Sequence, residues 1–124
     1  MHEDNLIADK TKQFAVRIIR LYQYIVNDRK EYVLSKQVLR SGTSIGANVR
    51  EALQGQSKKD FRSKMNIALK EATETNYWLE LLYETDYLNK TQFESINNDC
   101  TEIIRILISI VKNTNLDKPT KIDN

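Results

Sequence analysis

The sequence predicts an all-α protein: an up-down-up-down antiparallel four-helix bundle that associates with copies of itself. Three observations carry the bundle. Apolar residues recur at alternating steps of three and four through four segments, the stripe that packed helices present inward. The 124 residues include only three glycines and one proline, too few turn formers for an all-β fold. The links between segments are short, which forces neighbouring helices antiparallel.

The first segment runs from about Asn5 to Asp28, with Phe14, Ile18, Leu21 and Ile25 on the stripe. RKEYVL (29–34) links it to the second, about Ser35 to Gln54, which carries Val38, Ile45, Val49 and Ala52. The third, 57–85, is the most regular: Phe61, Met65, Ala68, Ala72, Thr75, Leu79 and Leu82 alternate throughout. DYLNK (86–90) leads to the fourth, 91–113, with Phe93, Ile96, Cys100, Ile103, Leu107 and Ile110. Ser57 with Asp60 and Thr91 with Glu94 are expected to cap the last two, a hydroxyl accepting a free N–H and an acid reaching back. One domain over 1–113 and a disordered polar tail over 114–124 complete the expected organisation.

Composition narrows the function. One cysteine, Cys100, leaves no internal disulfide and no multi-cysteine zinc site, and its place on the stripe marks it as a small core hydrophobe. MHEDNLIADK is not a signal peptide, and the most apolar stretch, IIRILISIV, is too short to span a bilayer, so a cytoplasmic, non-membrane protein is expected. The single histidine, His2, rules out the Glu-x-x-His pairs of a di-iron bundle and leaves general acid–base work without a partner. Glu71 with Glu74 and Glu80 with Glu84 sit at helical spacing and read as a solvated acidic face. No cofactor, no metal and no enzyme activity are expected.

Two of the glycines fall inside RSGTSIGANVREA (40–52), within a helix whose interior each weakens by roughly 1 kcal/mol relative to alanine. A phosphate-binding loop would need GxxxxGK[ST] or GxGxxG after a strand, and neither is present. Ser44 is central in Gly42-Thr43-Ser44-Ile45-Gly46, but a serine nucleophile would have only His2 to call on. Packing fits best: Gly42 and Gly46 share a face, Ser41, Ser44 and Ala47 widen it, and a bulky aromatic such as Trp78, Tyr77, Tyr22 or Tyr24 is expected to seat against it. Asn48 and Glu51 then lie near that contact and need partners such as Arg40, Tyr22 or Tyr83.

Together with F-x-x-K-M-x-I-A-x-K-E-A-x-E-T-x-Y-W-L (61–79), the block L-R-S-G-T-S-I-G-A-N-V-R-E-A resembles a bacterial four-helix-bundle family. Its founding members are encoded by intervening sequences within large-subunit ribosomal RNA genes, and it is sometimes misnamed ribosomal. The resemblance spans about residues 6–113. It implies a ring-shaped homopentamer without known catalytic activity. A related branch, the accessory proteins of diversity-generating retroelements, forms similar barrels that associate with a reverse transcriptase and bind nucleic acid.

Two surfaces follow from the residues themselves. Within 103–111 seven of nine residues are apolar, more than one stripe needs, and Ile104, Ile106, Ile108 and Val111 are the expected contact with other copies of the chain. Net charge is only +2, yet bases concentrate between residues 29 and 64. Lys36, Arg40, Arg50, Lys58, Lys59, Arg62 and Lys64 are the expected contacts to RNA or DNA, and the resemblance implies a nucleic-acid enzyme such as a reverse transcriptase as a further partner. The competing readings are ordinary surface charge and a protein-binding scaffold with no nucleic-acid role.

Overall fold

The computed structural model describes residues 2–114. Four helices follow in order, α1 (His2–Asn27), α2 (Leu34–Leu53), α3 (Lys58–Glu84) and α4 (Lys90–Asn113), with no strand among the described residues. Each packs on the next and α4 returns to α1. Across every seam one partner's number rises as the other's falls. Ser41 meets Thr75 and Glu51 meets Lys64 between α2 and α3; Asn76 meets Asn97 and Arg62 meets Val111 between α3 and α4. All neighbours are therefore antiparallel, as the short links require.

The alternating stripes make the core. Phe14, Ile18, Ile25, Val38, Ile45, Val49, Met65, Leu79, Leu82, Ile103 and Leu107 are all buried, and Ile7 and Leu88 join them. Burying each large apolar side chain contributes roughly 1.5–3 kcal/mol, which holds helices whose isolated stability would be marginal. Thr75 is the polar member of its stripe and is fully buried; its hydroxyl lies 2.8 Å from both Ser41 Oγ and the Glu71 carbonyl. The α1–α4 seam is the thinnest and is bridged by polar groups: Lys10 to Glu102 at 2.9 Å, and Arg17 to Asp99 at 2.7 Å and Ser95 Oγ at 2.9 Å.

The helix starts refine the expectations. Before α3, Ser57 accepts the Asp60 N–H at 3.0 Å, as anticipated. α4 begins earlier than Thr91: Asn89 accepts the Gln92 N–H at 2.8 Å and Gln92 Oε1 accepts the Asn89 N–H at 2.9 Å. This Asn/Gln box supplants the Thr91/Glu94 pair because asparagine is the stronger cap and glutamine completes the reciprocal bond. α1 starts at His2 rather than near Asn5. The tail expected beyond Thr114 lies outside the described residues.

The start of α2 has a device that the spacing of apolar residues does not reveal. Glu31, in the α1–α2 link, accepts the backbone N–H groups of Val33 at 3.0 Å, Leu34 at 2.9 Å and Ser35 at 2.8 Å. One carboxylate thus satisfies three donors that a helix start leaves free. Partial desolvation pushes its carboxyl up, but the three backbone bonds and Ser35 outweigh it, so the group lies below its ordinary value. The chain turns into this cap through Lys30, held in the left-handed region at φ 57°.

Candidate nucleic-acid interface

The glycine block lies against α1, Gly42 under a side chain and Gly46 beside the backbone. A Cβ built on Gly42 would lie 2.7 and 2.8 Å from Ile18 Cγ1 and Cγ2, and one on Gly46 would lie 3.3 Å from the Thr11 carbonyl oxygen. The occupant is α1 itself, not an aromatic: Trp78 and Tyr77 sit on α3, edge to face at 5.1 Å. The strip is flat because it must admit a β-branched side chain and a backbone, which a ring would hold apart. Ser44 lies mid-helix with its hydroxyl donating to the Arg40 carbonyl at 2.7 Å, far from the sharp turn a nucleophile elbow needs.

The predicted partners of Asn48 and Glu51 are likewise corrected. Asn48 Nδ2 donates to the Ser44 carbonyl one turn back, at 2.9 Å. Glu51 is exposed and pairs with Lys64 at 3.1 Å, so it takes no part in the glycine contact. The Glu51 side chain leans toward α3, whereas Gly42 and Gly46 face α1.

The seven predicted basic residues do not form one surface. Arg40 spans α2 to α3, bonding Glu71 at 3.2 Å and, more closely, Glu74. Glu74 also accepts the Trp78 indole N–H at 3.0 Å, and this bond leads in holding its carboxyl below the ordinary range, with Arg40 adding to it against desolvation. The hydrogen bond to Glu74 in turn raises Arg40 above its ordinary value. The Glu71–Glu74 pair is thus a clamp on one guanidinium. Lys64 is tied to Glu51, and Lys36 stands at the opposite end of α2 from Arg50, roughly 21 Å away along the axis at about 1.5 Å per residue.

Arg50, Lys58, Lys59 and Arg62 flank the junction where α2 passes into α3, Arg50 beside Lys12 and Ala8 of α1 and Lys59 and Arg62 beside Val111 of α4. Lys112 in the last turn of α4 ends there too. Arg50, Lys58 and Lys59 make no ion pair among the described residues. Arg62 Nε donates to the Val111 carbonyl at 3.2 Å, which lays its guanidinium over the end of α4. Lys59, Arg62, Ser63, Asn66 and Val111 line a cleft of about 250 Å³. Ser63 and Asn66 belong to it although the charge pattern alone did not single them out; their places four and seven residues after Lys59 were the available signal.

Residues 3–109 match the model of the 23S rRNA-intervening sequence protein family. The chain belongs to that family. Among solved structures it is similar to a protein of unknown function from the S23 ribosomal protein family of Bacteroides thetaiotaomicron VPI-5482. The two share 63% identity over 90% of this chain and 99% of that one, with a TM-score of 0.88. No curated protein matches.

In this family member the expected contact face on α4 is partly covered within the single chain. Ile104, Ile106 and Val111 are half-buried against the core. Ile106 and Leu6 of α1 line one shallow groove, and Val111 lies on the α3 side of α4 beside Arg62. Ile108 alone of the four stays exposed, at 47%. Cys100 is buried, its thiol 3.4 Å from the Ala72 carbonyl, and burial, with the charge of Asp99 second, pushes it up to about 12. No described helix is long and apolar enough to cross a membrane.

Proposed function

We propose that this protein is a non-enzymatic, homo-oligomeric helical adaptor that binds RNA or DNA through the basic end formed by the α2–α3 link and the last turn of α4. One observation carries the reading. Within residues 50–64 and 110–114, Arg50, Lys58, Lys59, Arg62, Lys64 and Lys112 stand against only Glu51 and Asp60. Excess charge of one sign, on a chain that is nearly neutral as a whole, favours an anionic polymer. Contacts of this kind reach phosphates, need no cofactor and are indifferent to base sequence. Lys36 and Arg40 stand outside this interface. Such a protein would place its nucleic acid beside a second protein, such as a reverse transcriptase, rather than act on it.

Copies of the chain assemble as a ring, a homopentamer on the family resemblance, with exposed Ile108 at the contact. Repetition of the basic end around a ring multiplies weak phosphate contacts through effective concentration. Ile108→Glu is expected to lower the assembly mass in light scattering with helicity intact; a wild-type monomer would remove the ring. The binding test is titration of labelled structured RNA and duplex DNA across a salt series. The expected log affinity falls linearly with log salt, and Arg50→Glu with Lys58→Glu lowers the slope by about 0.7–0.9 for each phosphate no longer neutralised. Absence of binding at low salt would favour the protein-binding scaffold, in which the charges keep the surface soluble.

A further inference from the structure

We infer that the cleft between the first turns of α3 and the end of α4 is a phosphate-binding subsite. The source of the phosphate as a nucleic-acid backbone rests on the proposed function; the phosphate chemistry does not. Lys59, Arg62, Ser63 and Asn66 line the cleft with Val111, and no carboxylate is among them. Their numbers fall three, four and seven apart, so one helix face presents all four.

The donor balance selects an anionic ligand rich in acceptors. An arginine side chain carries five N–H donors in a planar fork, a lysine three, an asparagine amide two and a serine hydroxyl one. Arg62 Nε is already engaged by the Val111 carbonyl at 3.2 Å, which fixes the fork and leaves its two terminal nitrogens for a ligand. The lining side chains thus offer an excess of donors around two positive charges. A phosphate group, all acceptors and negatively charged, complements such a set, and a fixed guanidinium suits its paired oxygens. A neutral or cationic ligand would leave both charges uncompensated. The Asn66 carbonyl oxygen and the Ser63 lone pairs are the only side-chain acceptors in the lining, and both groups rotate to offer a donor.

The cleft is also held in place by more than α3. The Arg62–Val111 bond joins α3 to α4, and Val111 packs against the core, so the floor is set by two helices. The long side chain of Arg62 therefore loses less freedom on binding than a free surface arginine would. In this respect Arg62 differs from Lys58, which projects from the helix start with no partner among the described residues.

The test is an NMR titration of the full chain with inorganic phosphate, followed at the Arg62 Nε–H, the Asn66 side-chain amide and the Ser63 backbone, beside a chloride control of equal ionic strength. Saturable shifts confined to these groups are expected. Ser63→Asp, at an exposed position that leaves the core untouched, should abolish them without moving the thermal midpoint. A single-stranded oligonucleotide is then titrated into both proteins. If its phosphates use the cleft, Ser63→Asp weakens it about tenfold and lowers the salt slope by about 0.7. Phosphate shifts with an oligonucleotide indifferent to Ser63→Asp would assign the cleft to free phosphate or phosphate monoesters. Oligonucleotide binding without phosphate shifts in the cleft would overturn the subsite and leave the nucleic-acid reading standing. Cleft shifts with no oligonucleotide binding at low salt would do the reverse.

Discussion

Replacing Gly42 by alanine sets two large effects against each other. In an exposed helix the change would stabilise by roughly 0.5–1 kcal/mol, because alanine loses less backbone entropy. Here the new methyl would sit 2.7 and 2.8 Å from Ile18 Cγ1 and Cγ2, about 1 Å inside ordinary carbon–carbon contact. Those are the branch atoms of a stiff side chain rather than a flexible tip. Ile18 is completely buried, so it has nowhere to retreat. Overpacking of this kind costs about 1–3 kcal/mol, and the net expectation is a loss of about 1–2 kcal/mol, or roughly 4–8 °C in Tm for a chain of this size. The decisive comparison repeats Gly42→Ala in an Ile18→Ala background. There the opposing atoms are gone, the methyl partly fills the cavity, and the same change should become stabilising. The sign reversal, read from thermal and urea melts at one protein concentration, isolates the contact as a coupling energy. An unchanged or raised Tm for Gly42→Ala in the wild-type background would refute the argument that close approach of α1 explains the glycine.

Three further outcomes are expected. Glu31→Gln should cost about 1 kcal/mol at neutral pH, as loss of a helix cap does. Because the folded carboxyl lies below its unfolded value near 4.5, that contribution is full above about pH 4.5 and vanishes as pH falls through the folded value; a difference between the two proteins that persists unchanged into strong acid would argue against the cap. Thr75→Val should destabilise by about 1–2 kcal/mol by stranding Ser41, and adding Ser41→Ala should recover part of it; additive losses in equilibrium melts would mean that the hydroxyls are not coupled. Cys100, pushed up to about 12, should resist iodoacetamide at pH 8 until urea exposes it, and equal labelling rates in the native and denatured chain would contradict its burial.

The family assignment gives the helices a lineage but leaves the chemistry to the surface. Arg40 and Lys64 look like nucleic-acid contacts in the sequence and prove to be bound by carboxylates from the neighbouring helix. Exposed pairs of this kind each contribute little. The exception is the Arg40 cluster, where two carboxylates and an indole converge on one region. By contrast, Arg50, Lys58 and Lys59 are exposed around the α2–α3 junction and make no ion pair among the described residues.

The sequence by itself determined the four helices and nearly all of the core. Spacing along one helix decides which side chains share a face, and burial of that face follows from its being apolar. It also determined that the glycine block is a packing surface, since two small residues one turn apart admit close approach. Only the tertiary structure decided what approaches: Ile18 and the Thr11 backbone, because the neighbour across a helix seam depends on register between segments that the spacing within each leaves open. The same holds for charge. Glu71 and Glu74 clamp Arg40, Glu51 takes Lys64 and Glu31 closes the start of α2, because a carboxylate's role is set by the donor that comes within about 3 Å of it. A cleft such as that of Lys59, Arg62, Ser63 and Asn66 exists only once α4 has been laid against α3.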